Sequence, residues 1–400
     1  MIQAKSAAWW RATLALCLGS MLVFINLYAP QPLLPELRHS HDVTTLTIGL
    51  VMSLATLTMA LSLLIYGPVS DAFGRQAIMR FSLLAAACAT LLVALAPNIT
   101  SLLLLRALQG IALGGLPAVA IAWMGDEFEP AAMVPAVGLY IAANTLGGIG
   151  GRVIGGAIGE WQGAEVGFLS IGILSLVGVA LFWRLLPAST DFKPQPFRPS
   201  RAIGQLLGHL RNPLLLTAYL IGGLNFLIFI NQYSYMTFRL AEEPFGLGPS
   251  WLGLLFLTYL GGTLGSSLSA KVVTRLTAPY SMALGIAILA CGSAMTLIPV
   301  LGLIVLGLTV GAFGFFLCHA TASGWVGRCA TEARGSASAL YLTFYYLGAS
   351  LGPVWFEPFW QWAHWPGIVG ASWLVLAMTF FLALWLGRRE AGREQKALAH

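Results

Sequence analysis

Val43 to Ser70 is a run of 28 residues without a charged side chain, and Ala12 to Pro35 is another of 24. A helix needs about 20 mostly apolar residues to cross the hydrocarbon core of a bilayer. Runs this long are the feature that most restricts the possible folds, because a water-soluble domain has too little interior to bury them. The rest of the chain agrees: 58% of its 400 residues are hydrophobic and 9% charged, against roughly one quarter charged in soluble domains. This balance excludes a disordered chain, and five cysteines are too few for a disulfide scaffold. In a protein of this class the formal charge of +6 is read by its placement along the chain, and no nucleic-acid partner is expected.

Apolar runs separated by short polar or Pro/Gly-bearing stretches predict twelve helices, at about 12–35, 46–68, 78–97, 101–124, 134–158, 165–186, 213–236, 250–270, 279–298, 301–325, 336–360 and 367–386. The first run follows Lys5 and Arg11 as a signal peptide would, but exceeds a 7–15 residue apolar region and lacks a small-x-small cleavage site. It is read as a retained helix. Counted on alternate sides of these spans, 17 Lys and Arg fall on one side and only Arg38 and Arg239 on the other, with Arg106 and Arg152 inside spans. By the positive-inside rule both termini lie in the cytoplasm of a multi-pass protein.

Residues 188–212, rich in proline and basic side chains, read as a cytoplasmic linker. They separate an N-terminal six-helix bundle (1–187) from a C-terminal bundle with a short cytoplasmic tail (213–400). A shift of 201 residues lays Leu139–Val153 on Leu340–Val354, matching Leu139, Tyr140, Leu146, Gly147, Gly151 and Val153 with Leu340, Tyr341, Leu347, Gly348, Gly352 and Val354. Two parallel repeated halves are a known transporter architecture. The expected fold class is therefore all-α, with twelve transmembrane helices in two six-helix halves.

Three motifs carry the rest. Between spans two and three lies Gly67-Pro68-Val69-Ser70-Asp71-Ala72-Phe73-Gly74-Arg75, where a carboxylate and an arginine share a tight turn. Span four holds Arg106-Ala107-Leu108-Gln109-Gly110. Arg106 is costly inside a bilayer and has two readings: it snorkels to the nearer surface, or it faces a cavity and acts on an anion or a proton carrier. Span five carries Gly147, Gly151, Gly155 and Gly159 at four-residue spacing, one helix face for close packing. Arg152, beside this ladder, is expected to pair with Glu36 or Glu160 as a gate contact, or to snorkel.

GxxxDxxGR at this place resembles the signature loop of the major facilitator superfamily, and Arg106–Gly110 resembles its RxxQG motif. The resemblance implies a cytoplasmic latch of Gly67, Asp71, Gly74 and Arg75, with Asp126 or Glu127 receiving Arg75. In the second half Asp71 falls on Thr274 and Gly74 on Thr277, so the motif is lost there. The glycine ladder resembles the superfamily's antiporter motif, but Arg152 stands at the proline place, while Gly352-Pro353 persists in span eleven. Phe315–Trp325, Ser338–Tyr341 and Tyr345–Gly348 resemble the bacterial YnfM-type transporters of the drug-proton antiporter-like branch. That implies an inner-membrane carrier, an exporter by expectation.

A carrier of this plan binds its small-molecule substrate near the midplane. Asn26, Tyr28, Asn144, Asn225, Tyr345 and Tyr346 lie at or near mid-depth and Gln232 somewhat closer to the periplasm, and each can equally serve as a bond between helices. The set lacks fixed charge, which favours a neutral or amphipathic solute. For proton coupling no carboxylate lies at mid-span, leaving His319 and Glu36 as candidates beside Arg106 and Arg152. The chain has no metal-binding spacing and no P-loop or HExxH motif, so no cofactor and no enzyme activity are expected. The reading is a monomeric bacterial inner-membrane transporter working by alternating access, with proton-coupled efflux placed ahead of a facilitated or symporting importer, and a channel or membrane enzyme behind both.

Overall fold

The computed structural model describes residues 1–189 and 199–398. The described residues form α-helices joined by short turns, and eleven are long and apolar enough to cross a membrane. The last of these runs 59 residues from Arg334 to Gly392, far more than one crossing needs. It is broken at Ala363 (φ −142°) and His364 (φ 47°), just ahead of Pro366. Counted as two, it restores the twelve spans.

The helices are α1 (Ala7–Tyr28), α2 (Leu34–Ser40), α3 (Thr45–Phe73), α4 (Arg75–Ala94), α5 (Ile99–Leu113), α6 (Gly115–Glu127), α7 (Pro130–Gln162), α8 (Ala164–Leu185), α9 (Pro199–Leu210), α10 (Pro213–Ala241), α11 (Pro249–Leu254), α12 (Tyr259–Leu276), α13 (Ala278–Met295), α14 (Leu301–Cys329) and α15 (Arg334–Leu398). Several expected spans are subdivided. Span one stops as α1 at Tyr28 because Pro30 and Pro32 lack the N–H groups that Asn26 and Tyr28 would need to continue. The chain passes through one 3₁₀ turn, Gln31–Leu33, into α2. Span eight begins as α11, passes through 3₁₀ residues Leu255–Thr258 and continues as α12. Within the expected linker at 188–212 the chain forms α9, while Lys193, Pro194, Pro196 and Arg198 lie outside the described residues.

The chain divides into two units, Met1–Pro199 with Leu240–Phe256, and Ser200–Arg239 with Leu257–His400. Segment 240–256, which the sequence assigns to the second half, thus packs with the first. In unit one the glycine ladder of α7 rides on α1: a Cβ on Gly147, Gly151 or Gly155 would lie 2.6–2.7 Å from backbone atoms of Met21, Ile25 and Ala29. Both rows step by four residues, so the helix faces mesh turn by turn. In unit two, Gly348 and Gly352 of α15 meet Gly223 and Asn231 of α10, the counterpart contact.

Candidate functional site

At the α3–α4 turn Gly74 takes φ 102°, ending one helix and opening the next. Only glycine adopts that conformation without strain. The turn sets Arg75 one helical turn from Asp71, at 3.2 Å, and 3.1 Å from Asp126 at the end of α6. Glu127, the other expected acceptor, instead receives the Ser189 hydroxyl.

Arg106 is wholly buried and does not reach the surface, contrary to the snorkelling alternative. Its Nε donates to Val51 O at 3.0 Å, Nη1 to Asn26 O at 3.1 Å and to Gln109 Oε1, and Nη2 to Leu27 O at 2.9 Å. Asn26 and Leu27 close α1, and Pro30 has no N–H for the Asn26 carbonyl. The guanidinium therefore caps the negative end of α1. Gln109 Nε2 donates onward to Thr90 Oγ1 at 2.6 Å, Thr90 to Asn26 Oδ1 at 2.5 Å, and Asn26 Nδ2 to Ser175 Oγ at 2.8 Å. Asn26 is thus spent on joining α1, α4 and α8.

Within α7 Arg152 is also buried. Its guanidinium carbon stands 4.0 Å from the Tyr28 ring centre and 4.1 Å from that of Phe256, while Nε donates to Gln31 Oε1 at 2.8 Å and Nη1 to Gly148 O at 3.0 Å. The expected pairing with Glu36 or Glu160 is corrected. Glu36 accepts from the backbone of Ala164, where a carboxylate suits the positive end of α8. Glu160 accepts from Ser250 N at 2.7 Å at the start of α11. Two aromatic faces replace a carboxylate, a favourable arrangement for a desolvated guanidinium. Arg38 and Glu242, 3.0 Å apart, tie segment 240–256 down at a second point.

In unit two the mid-depth residues separate into two kinds. Gln232 donates to Ser293 at 2.6 Å and Ser372 at 2.7 Å, and Asn225 lies between Cys318 Sγ at 3.5 Å and the Thr379 hydroxyl at 3.0 Å. These amides knit the bundle. Tyr345 instead stacks on Phe226 with ring centres 3.6 Å apart and meets His319 at 4.6 Å and Tyr346 at 5.2 Å. Phe229 stacks on Phe315 at 4.0 Å, extending one aromatic cluster from α10 through α14 to α15. The Tyr341 hydroxyl lies 3.0 Å from His319 Nδ1. In unit one, half-buried Asn144 accepts from Ser20.

A model of the Major Facilitator Superfamily matches residues 16–353. The chain belongs to this superfamily. It is 34% identical over 388 residues to the inner membrane transport protein YnfM of Escherichia coli (strain K12), covering 97% of this chain and 92% of that one. It is also 34% identical to the MFS-type transporter YybF of Bacillus subtilis (strain 168), covering 94% of each. Its fold matches a bacterial homologue of the human lysosomal transporter Spinster, solved in an inward-facing, unoccupied conformation (TM-score 0.77, 17% identity, 96% of this chain and 98% of that one). The protein is thus a multi-pass membrane transporter of the major facilitator superfamily.

Sequence reasoning missed Gln31 and Phe256 as partners of Arg152, and Phe226, Phe229 and Phe315 as the body of the aromatic cluster. The only signal for the first pair was the placing of Gln31 between two prolines. For Phe226 and Phe229 there was none, because apolar rings in a span read as lipid-facing or core, and Phe315 entered only as part of the motif Phe315–Trp325.

Proposed function

We propose that this transporter exports a small neutral or amphipathic solute, with an aromatic or otherwise flat portion, in exchange for protons, across the bacterial inner membrane with both termini in the cytoplasm. The observation that carries the reading is the cluster of Phe226, Phe315, Tyr345 and Tyr346 with His319 at its edge. Stacking surfaces offer affinity to a flat uncharged molecule, and an ionisable imidazole beside them allows solute and proton to compete. Asn26, Asn225 and Gln232 hold helices together, and the Tyr28 ring holds Arg152. Asp71, Arg75 and Asp126 serve as the cytoplasmic latch, and the Arg152 clamp as its periplasmic counterpart. Support for export comes from the resemblance to the drug-proton antiporter-like branch.

The test is transport in proteoliposomes and inside-out vesicles, screened over amphipathic drugs, sugars and small metabolites with and without an imposed pH gradient. Saturable uptake into inside-out vesicles with an acidic interior is the expected result. Equilibration that ignores the gradient would establish a facilitator instead.

A further inference from the structure

Gly74 and Thr277 play one role in the two units: each ends one helix and begins the next, with φ of 102° and 63°. Glycine accepts that conformation freely, whereas a β-branched threonine holds it under strain. The turn is therefore kept in the second half at a cost, although its charges are gone. One residue on, Arg75 is matched by Ala278, and three residues back Asp71 is matched by Thr274. The next-to-last residue of α6 is Asp126, and that of α14 is Arg328, so the sign of the facing charge is reversed. Arg75 bridges Asp71 and Asp126 in unit one, whereas beside Ala278 unit two has a cavity of about 400 Å³ lined by Thr277, Ala278, Tyr280, Trp325, Arg328 and Glu390.

From this we infer that the vacated latch of the second half is a binding site for a zwitterion bearing a phosphate and a primary ammonium, supplied by the headgroup of a phosphatidylethanolamine-type lipid. Arg328 offers a fork of donors that matches phosphate oxygens. Glu390 lines the same cavity, one of its oxygens accepting the Trp325 indole N–H at 2.9 Å, which leaves the other for an ammonium. A purely anionic ligand would be repelled by Glu390 and a purely cationic one by Arg328. The lining residues come from helix ends, where headgroups lie, and Trp325 and Tyr280 are side chains that favour that depth. Tyr280 and Leu276 are exposed beside the cavity, giving acyl chains an apolar path outward. The lipid site is independent of which solute is transported.

The test is native mass spectrometry of the full-length protein with equal amounts of phosphatidylethanolamine, phosphatidylcholine and phosphatidylglycerol of matched chains. Retention of the ethanolamine lipid about tenfold above the other two is expected, the equivalent of one charge-assisted hydrogen bond. Choline has no N–H for Glu390, and glycerol carries no cation. Glu390→Gln should erase the preference over choline, Arg328→Gln should weaken all three, and Ala278→Arg should fill the cavity and abolish the effect. Asp71→Asn should leave it intact. Equal retention of the three lipids by the wild type, a preference that survives both Glu390→Gln and Ala278→Arg, or displacement by soluble phosphoethanolamine at lipid-equivalent concentration would each overturn the proposal.

Discussion

Replacing Arg106 with methionine removes the cation from the end of α1 while keeping much of its volume. Four hydrogen bonds go with it. Val51 O lies inside α3 and keeps its helical partner, so three acceptors lose their donor: Asn26 O, Leu27 O and Gln109 Oε1. At about 2 kcal/mol for each buried group left unsatisfied the loss is about 6 kcal/mol. Relief of the buried charge offsets about half of that, leaving a net destabilisation of about 3 kcal/mol. With an unfolding entropy of about 0.8 kcal/mol/K for a chain of this size, the thermal midpoint of the purified protein should fall by about 4 °C. The Pro30→Ala background sets a sharper demand. There the substituted residue supplies the missing N–H to Asn26 O, so Arg106→Met should cost about 1–2 kcal/mol less than in the wild type. An unchanged midpoint for the single variant, or strict additivity in the double, would refute capping of α1 by the guanidinium.

Gly151→Ala should destabilise by about 1–3 kcal/mol, because its Cβ would sit 2.6 Å from Ile25 O, whereas Gly150→Ala meets nothing within 4 Å and should be neutral or slightly stabilising; thermal unfolding of the pair separates packing from helix propensity. Arg152→Lys keeps the charge but loses the planar group that stacks on Tyr28 and Phe256. Labelling of a cysteine placed at exposed Glu243 should therefore become faster, and an unchanged rate would contradict the clamp. Asp126→Asn breaks a part-exposed ion pair worth about 1 kcal/mol or less, so the thermal midpoint should move by no more than about 1 °C while transport falls tenfold or more. Equal losses of stability and transport would argue against a latch.

The architecture was legible because bilayer spans announce themselves by length: the 28 uncharged residues from Val43 to Ser70 permit little else. The Asp71-Arg75 turn was legible through its resemblance to the superfamily's signature loop, since glycine, acid and arginine at that spacing taken alone fit an ordinary charged turn as well. What could not be read was which partner a buried charge would choose. Arg152 suggested a carboxylate, yet Glu36 and Glu160 serve helix N-termini and two rings take the guanidinium. Depth along a helix also says nothing about rotation around it, so Asn26, Asn225 and Gln232 looked the same as Tyr345 from the sequence. Only the fold separates amides bonded within the bundle from the aromatic cluster. The assignment of 240–256 to the first unit was illegible as well, because no repeat or hydropathy signal marks a segment that packs away from its own half.

Competition between solute and proton at His319 is the central claim. Once the vesicle screen supplies a solute, it should be added to the purified transporter in unbuffered solution at a series of starting pH values reaching well into the acid range, and the proton release recorded. Wild type and Glu36→Gln should each release protons on solute binding, and His319→Gln should bind the solute and release none. Full release from His319→Gln, or none from the wild type, would contradict it.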